Sequence, residues 1–160
     1  MKKLFFLLCL LGFYSCAGYA PIFSTENSSF YIGNIINTND DKITKKLSRN
    51  LDNKKLKDDS KKNYTLKISS DKKIVVVSRD PSGDALTYEI IISVVVNVFY
   101  NNEDKPVNTL KFSSNFSYNN QKNKFNLDQY RRTIEENMID KISQDIVVKL
   151  LLNFRVFTGL

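Results

Sequence analysis

The stretch Thr87-Tyr88-Glu89-Ile90-Ile91-Ile92-Ser93-Val94-Val95-Val96-Asn97-Val98-Phe99-Tyr100 decides the fold. β-branched and aromatic residues fill it, and such side chains suit a pleated, half-buried ribbon better than a helix. At a period of two, Tyr88, Ile90, Ile92, Val94, Val96, Val98 and Tyr100 share one face. Thr87, Glu89, Ile91, Ser93, Val95, Asn97 and Phe99 make a mixed second face. One apolar and one mixed side describe a strand of an antiparallel sheet covered on one face.

Working outward, Arg79-Asp80-Pro81-Ser82-Gly83-Asp84 before this strand has the chemistry of a tight turn. Upstream of it Tyr64, Leu66 and Ile68 alternate, polar residues run from Ser69 to Lys73, and Ile74 to Val77 is continuously apolar, so a strand broken by a bend or bulge is expected over 64–77. Downstream, Asn101 to Pro106 reads as a turn and Thr109 to Asn119 as a strand with Leu110, Phe112, Phe116 and Tyr118 on one face. The aromatic stripe of Tyr88, Ile90, Phe112, Phe116 and Tyr118 is read as core beneath helices, in preference to an acyl-chain groove.

Two helices flank this meander. Ile43, Leu47 and Leu51 recur every fourth residue within Thr38 to Leu56, with Thr38, Asn39 or Asp40 available as the cap, and a charged stretch at 57–63 ends the helix. Ile134, Met138, Ile142, Ile146, Leu150 and Phe154 form a longer stripe of the same kind, reinforced by Ile139, Val147 and Leu151. Asn126 with Gln129 has the spacing of a capping box, and Phe125 with Tyr130 that of a hydrophobic staple. With a first strand over Phe30 to Ile36, the order is β-α-β-β-β-α. The expected fold is α+β: a single mixed, mostly antiparallel four-stranded sheet with two helices packed on one face.

The N-terminus carries a different message. Lys2 and Lys3 precede an apolar run from Leu4 to Tyr14 that is too short for a bilayer span, which takes ~20 residues. Ser15 and Cys16 follow, and Phe13-Tyr14-Ser15-Cys16 resembles a lipobox, with Phe13 where Leu is usual. Residues 1–15 are therefore expected to be a lipoprotein signal peptide, Cys16 the acylated first residue, 16–29 a tether and 30–160 the folded domain. Ala17 after the acylated cysteine favours sorting to the periplasmic side of the outer membrane. Cleavage would remove two of the 24 basic residues and leave 22 against 17 acidic ones, a formal +5. In an exported chain that charge points to phosphorylated lipid, not nucleic acid.

The residue inventory narrows the function further. With no histidine in the chain and Cys9 inside the segment to be removed, His-based triads and the common zinc sites are excluded. Asp80, Asp84 and Glu89 show no spacing that demands a catalytic pair, so no catalytic residue, metal or cofactor is expected.

The opening Cys16-Ala17-Gly18-Tyr19-Ala20-Pro21-Ile22-Phe23, the strand segment Ala85-Leu86-Thr87-Tyr88-Glu89-Ile90 and the closing-helix segment Asp145-Ile146-Val147-Val148-Lys149-Leu150 together resemble the LptE family of outer-membrane lipoproteins, over nearly the whole mature chain. The resemblance implies a non-enzymatic role in lipopolysaccharide assembly, with an LptD-type barrel as partner and membrane attachment through the acyl anchor. It also implies lipopolysaccharide contact by Arg79 at the turn and by Lys124, with Lys122, before the last helix. Arg131 and Arg132 add cations at that helix end, where the dipole disfavours them slightly. Asn115, Ser117, Asn119 and Asn120 supply an uncharged polar surface suited to a wet barrel lumen. The competing reading is an auxiliary lipoprotein that tethers another envelope transporter or secretion complex.

Overall fold

A computed structural model describes residues 30–52, 62–101 and 103–156. The expected signal peptide, Cys16, the expected tether and the expected continuation of the first helix past Asp52 lie outside the described residues. The order is β1 (Phe30–Asn37), α1 (Lys42–Asp52), β2 (Lys62–Arg79), β3 (Ala85–Tyr100), β4 (Asn108–Asn119) and α2 (Lys124–Val156). The strands form one sheet in the order β1-β2-β3-β4, β1 parallel to β2 and the other pairs antiparallel. This is the expected α+β architecture.

The core is the apolar side of β3 pressed against both helices. Ile90, Ile92, Val94, Val96 and Val98 are buried with Leu66 and Ile68 of β2, under Leu47 and Leu51 of α1 and Ile142, Ile146 and Leu150 of α2. Each such side chain contributes ~1.5–3 kcal/mol by leaving water. Among the described residues, no helix lies on the opposite face of the sheet. Phe99 is nonetheless buried there, with the Lys67 ammonium 4.4 Å from its ring centroid.

Several local expectations are corrected. In β1, where period-two alternation would put Ile32 and Ile35 on opposite faces, the register with β2 shifts between Ile32 and Asn34, so Gly33 is the extra residue of a bulge and both Ile32 and Ile35 pack against the core. A Cβ at Gly33 would collide with the Asn63 side chain. β2 runs unbroken through the polar stretch Ser69–Lys73, and its irregularity lies instead around Ser78.

The cap of α1 is Asp41, not Thr38, Asn39 or Asp40, because its Oδ1 accepts the Ile43 and Thr44 amides at 2.9 Å each. α2 likewise starts three residues before the expected capping box. Asn123 Oδ1 accepts the amides of Phe125 and Asn126 at 3.0 and 3.2 Å. Phe125 thus falls within the first turn, exposed like Tyr130, and Leu127 makes the buried contact in place of a staple.

Where the helices stop matters for function. α1 begins level with Ser70: Asn39 Nδ2 donates to the Ser70 carbonyl at 2.7 Å, and the Thr44 and Ser70 hydroxyl oxygens lie 2.8 Å apart. β1 ends there too, pairing Asn37 with Ile68. Beyond Ser70, β2 is, among the described residues, the edge strand of a three-stranded β2-β3-β4 sheet that α1 does not cover and that leads to the Arg79 turn.

Candidate functional site

The turn joining β2 to β3 is held by its own polar groups. The Asp84 amide donates to Asp80 Oδ1 at 2.8 Å, the Gly83 amide to the Asp80 carbonyl at 3.0 Å and the Asp80 amide to the Asp84 carbonyl at 2.9 Å. Gly83 has a φ of 90°, a backbone shape that side-chain-bearing residues adopt only with strain. Asp80 and Asp84 are therefore turn formers. Arg79 is exposed, donates through Nη1 to the Gly83 carbonyl at 2.8 Å, and has no carboxylate partner among the described residues. Part of its planar fork of donors stays open to an outside acceptor.

The segment linking β4 to α2 is bound to the same end of the sheet. Asn120 donates its amide to the Leu86 carbonyl at 2.7 Å and its Nδ2 to the Ala85 carbonyl at 2.8 Å. Its Oδ1 accepts the Gln121 amide at 3.0 Å and Lys124 Nζ at 3.3 Å. Ala85 is the register partner of Arg79. A short path, Arg79 to Ala85 to Asn120 to Lys124, thus sets the two expected lipopolysaccharide contacts at one end of the molecule, with Lys122 exposed between them. Arg131 is less available, because it pairs with Asp128 at 2.9 Å. It also bonds Tyr118, whose phenol burial pushes up while this guanidinium pulls it back. Tyr88 stacks on Tyr118 with ring centroids 5.7 Å apart, so both belong to the packing beneath α2 as expected, whereas Phe116, expected in the same core stripe, is exposed.

The four residues expected to face a barrel separate into two kinds. Asn115, Ser117 and Asn119 are exposed on the helix-free face of β4. Asn115 Nδ2 donates to Glu89 at 2.7 Å and Asn119 Oδ1 accepts from Thr87 at 3.3 Å, which orders a polar ladder across that face. Thr109 continues it through Asn97 at 2.8 Å. Asn120 is half-buried, and its side chain is spent on the chain's own backbone.

Sequence reasoning missed a groove of about 340 Å³ between β4 and α2, where Phe116, Tyr130, Ile134 and Met138 meet Lys141. Exposed Phe116 and Tyr130 could have signalled it, had each not matched a core or staple pattern. Among the described residues no helix is long and apolar enough to cross a membrane.

A family model described as LptE, lipopolysaccharide-assembly, matches residues 28–150. The chain belongs to the LptE family. Similar solved structures include rare lipoprotein B from Shewanella oneidensis, with 14% identity, a TM-score of 0.57 and coverage of 79% of this chain and 98% of that one. A putative lipoprotein from Caulobacter crescentus has 14% identity and a TM-score of 0.55 over 76% of this chain and 90% of its own. A minor lipoprotein from Acinetobacter baumannii has 13% identity and a TM-score of 0.54 over 75% and 90%. At such identities these likenesses speak for the LptE fold. No curated protein sequence matches the chain. Family membership places the chain among lipopolysaccharide-assembly lipoproteins of the bacterial envelope.

Proposed function

We propose that this LptE family member is a non-enzymatic lipoprotein, acylated at Cys16 and held on the periplasmic side of the outer membrane. It binds lipopolysaccharide through Arg79, Lys124 and Lys122, and it seats the polar face of β4, with Asn115, Ser117 and Asn119, against an LptD-type barrel. The observation that carries the reading is the path joining the Arg79 turn to Lys124 through Asn120, which gathers cations at one end of a protein of this family. Phosphates are read by such groups through charge-assisted hydrogen bonds, and Arg79 offers the forked geometry they favour. Asn120 serves this site by holding the Lys122–Lys124 segment in place, which replaces the expectation that it faces the barrel.

The test is purification of the full chain from solubilised outer membrane. A one-to-one complex with a barrel, carrying lipopolysaccharide that is lost from Arg79→Asp, is the expected result. Recovery with an inner-membrane transporter and no barrel would favour the tethering alternative.

A further inference from the structure

β4 is an outer strand of the sheet, and its edge is open. The Asn120 amide bonds the Leu86 carbonyl in the same register that aligns Tyr118 with Tyr88, so the even-numbered residues of β4 direct their amides and carbonyls to β3. The odd-numbered ones turn theirs away from the sheet. Lys111, Ser113, Asn115, Ser117 and Asn119 are exposed, and among the described residues no strand lies beyond them. Proteins usually blunt an edge of this length with charge, proline or a bulge. The twelve residues of β4 hold one charged residue, Lys111, with no proline and no register shift. The free stretch of β2 past Ser70 is blunted in that way, since it starts on Asp71, Lys72 and Lys73 and its register shifts around Ser78.

We infer that an extended segment of the barrel partner adds to β4 as a fifth strand, with an apolar side chain in the groove beside it and a carboxylate at Lys141. This deepens the barrel reading above and rests on it. In strand addition, backbone bonds supply affinity and pockets for alternate side chains supply specificity. Both are in place. The groove of about 340 Å³ between β4 and α2 lies on the helix side of the open edge, where every second side chain of an added strand points. Asn115, Ser117 and Asn119 offer their side chains to the barrel in the reading above, and the same residues carry the outward backbone groups, so a partner on that face is within reach of the edge. Strands of a closed barrel have no free edge, so the segment is a loop or terminal arm. Lys141 sets its charge, because it is exposed at the groove and has no carboxylate partner among the described residues. Glu135, Glu136 and Asp140 on the same helix bond Lys72, Lys46 and Asn50, and Asp145, one turn on, makes no ion pair with it. An acyl chain in the groove would use its apolar wall and leave the edge idle, so lipid accounts for less.

The test places the photo-crosslinker p-benzoylphenylalanine at Asn137 in the groove or at Ser117 on the open face of the full chain in cells, with protein abundance followed by immunoblot. Barrel adducts at both positions are expected, the Asn137 adduct mapping by mass spectrometry to one segment outside the barrel strands. Ser113→Pro removes an outward amide and keeps the bonds to β3, so it should cut the Asn137 adduct about tenfold, whereas Ser113→Ala should preserve it. An adduct undiminished by Ser113→Pro would overturn the inference. A barrel adduct at Ser117 with none at Asn137, or with an Asn137 adduct to lipid, to a barrel strand or to a second copy of this chain, would overturn strand addition and leave the barrel reading intact. No barrel adduct at either position would remove both. If Ser113→Pro lowers abundance, Lys141→Glu, which alters an exposed side chain, reads the same contact. A several-fold loss of the Asn137 adduct is then expected, and an unchanged adduct would overturn the inference.

Discussion

Ser70 Oγ donates to Asp41 Oδ1 across 2.9 Å, fastening the first turn of α1 to the middle of β2. Thr44 Oγ1 donates to the other carboxylate oxygen at 2.7 Å. Burial raises the pKa of Asp41, but hydrogen bonds from the Thr44 amide and hydroxyl, the Ser70 hydroxyl and the Ile43 amide outweigh it, and the net shift is downward from 3.8. A carboxyl depressed in the folded state stabilises above its unfolded value and loses that contribution as pH falls through the folded one. Asp41→Ala should cost about 1–2 kcal/mol at neutral pH. In denaturation curves the gap between wild type and Asp41→Asn should hold steady above the ordinary 3.8 and narrow below it.

Ile142 lies at the centre of the α2 stripe and is buried. Ile142→Ala should lower stability by about 2–5 kcal/mol, and Ile142→Asp should abolish the cooperative unfolding transition, because an unpaired carboxylate has no partner in that core. Lys45→Ala removes only an exposed pair with Asp40 at 2.6 Å and should change stability by less than about 1 kcal/mol in the same urea titration.

Asn119 and Asn120 are neighbours with opposite orientations. Asn120→Ala takes away the donor to the Ala85 carbonyl and the acceptor for Lys124, and should cost about 1–2 kcal/mol. Asn119→Ala on the open face should stay within about 0.5 kcal/mol of wild type. Thermal melts of the two variants separate the roles.

Arg79→Gln should weaken lipopolysaccharide retention about tenfold, in line with the loss of one charge-assisted contact of ~1.5 kcal/mol, while leaving the melting curve unchanged. Lys124→Gln alone should do less, since its ammonium already bonds Asn120. Retention on immobilised lipopolysaccharide at two salt concentrations is the measurement, and the wild-type signal should fall with salt.

A photo-crosslinker at Ser117 should capture the barrel in cells, and one at Lys45 should not, because Ser117 sits on the helix-free face and Lys45 on the far side of the helix layer. Equal capture from both positions would contradict the orientation proposed for β4.

Periodic elements were legible from sequence, and places governed by neighbours were not. The alternation of β3 leaves one arrangement that buries Ile90, Ile92, Val94, Val96 and Val98 together, and the four-residue spacing from Ile134 to Leu150 does the same for the last helix. The polar run at Ser69–Lys73 looked like a break, yet it marks the point where α1 and β1 stop covering a continuous strand. That boundary is set by where α1 docks, which no local pattern encodes. Asn123 and Asn126 are equally good caps, and only the burial of Leu127 favours the earlier start. At the candidate site, Arg79 and Lys124 were placed by resemblance, whereas the part played by Asn120 depends on hydrogen bonds to a strand 35 residues away.

The parallel pairing of β1 with β2 has a spatial outcome. Phe30 aligns with Lys62, so the chain enters the domain at the end of β2 opposite Arg79. Eighteen residues of strand span roughly 55–60 Å, close to twice the ~30 Å hydrocarbon thickness of a bilayer. In the function proposed above, with a lipid anchor at one pole and lipid recognition at the other, the sheet is a ruler with a direction. Anchored as proposed and standing upright, it would have the reach to bring the Arg79 turn across a bilayer's thickness, and shortening β2 and β3 by whole pairs of residues would withdraw that reach in steps of ~7 Å.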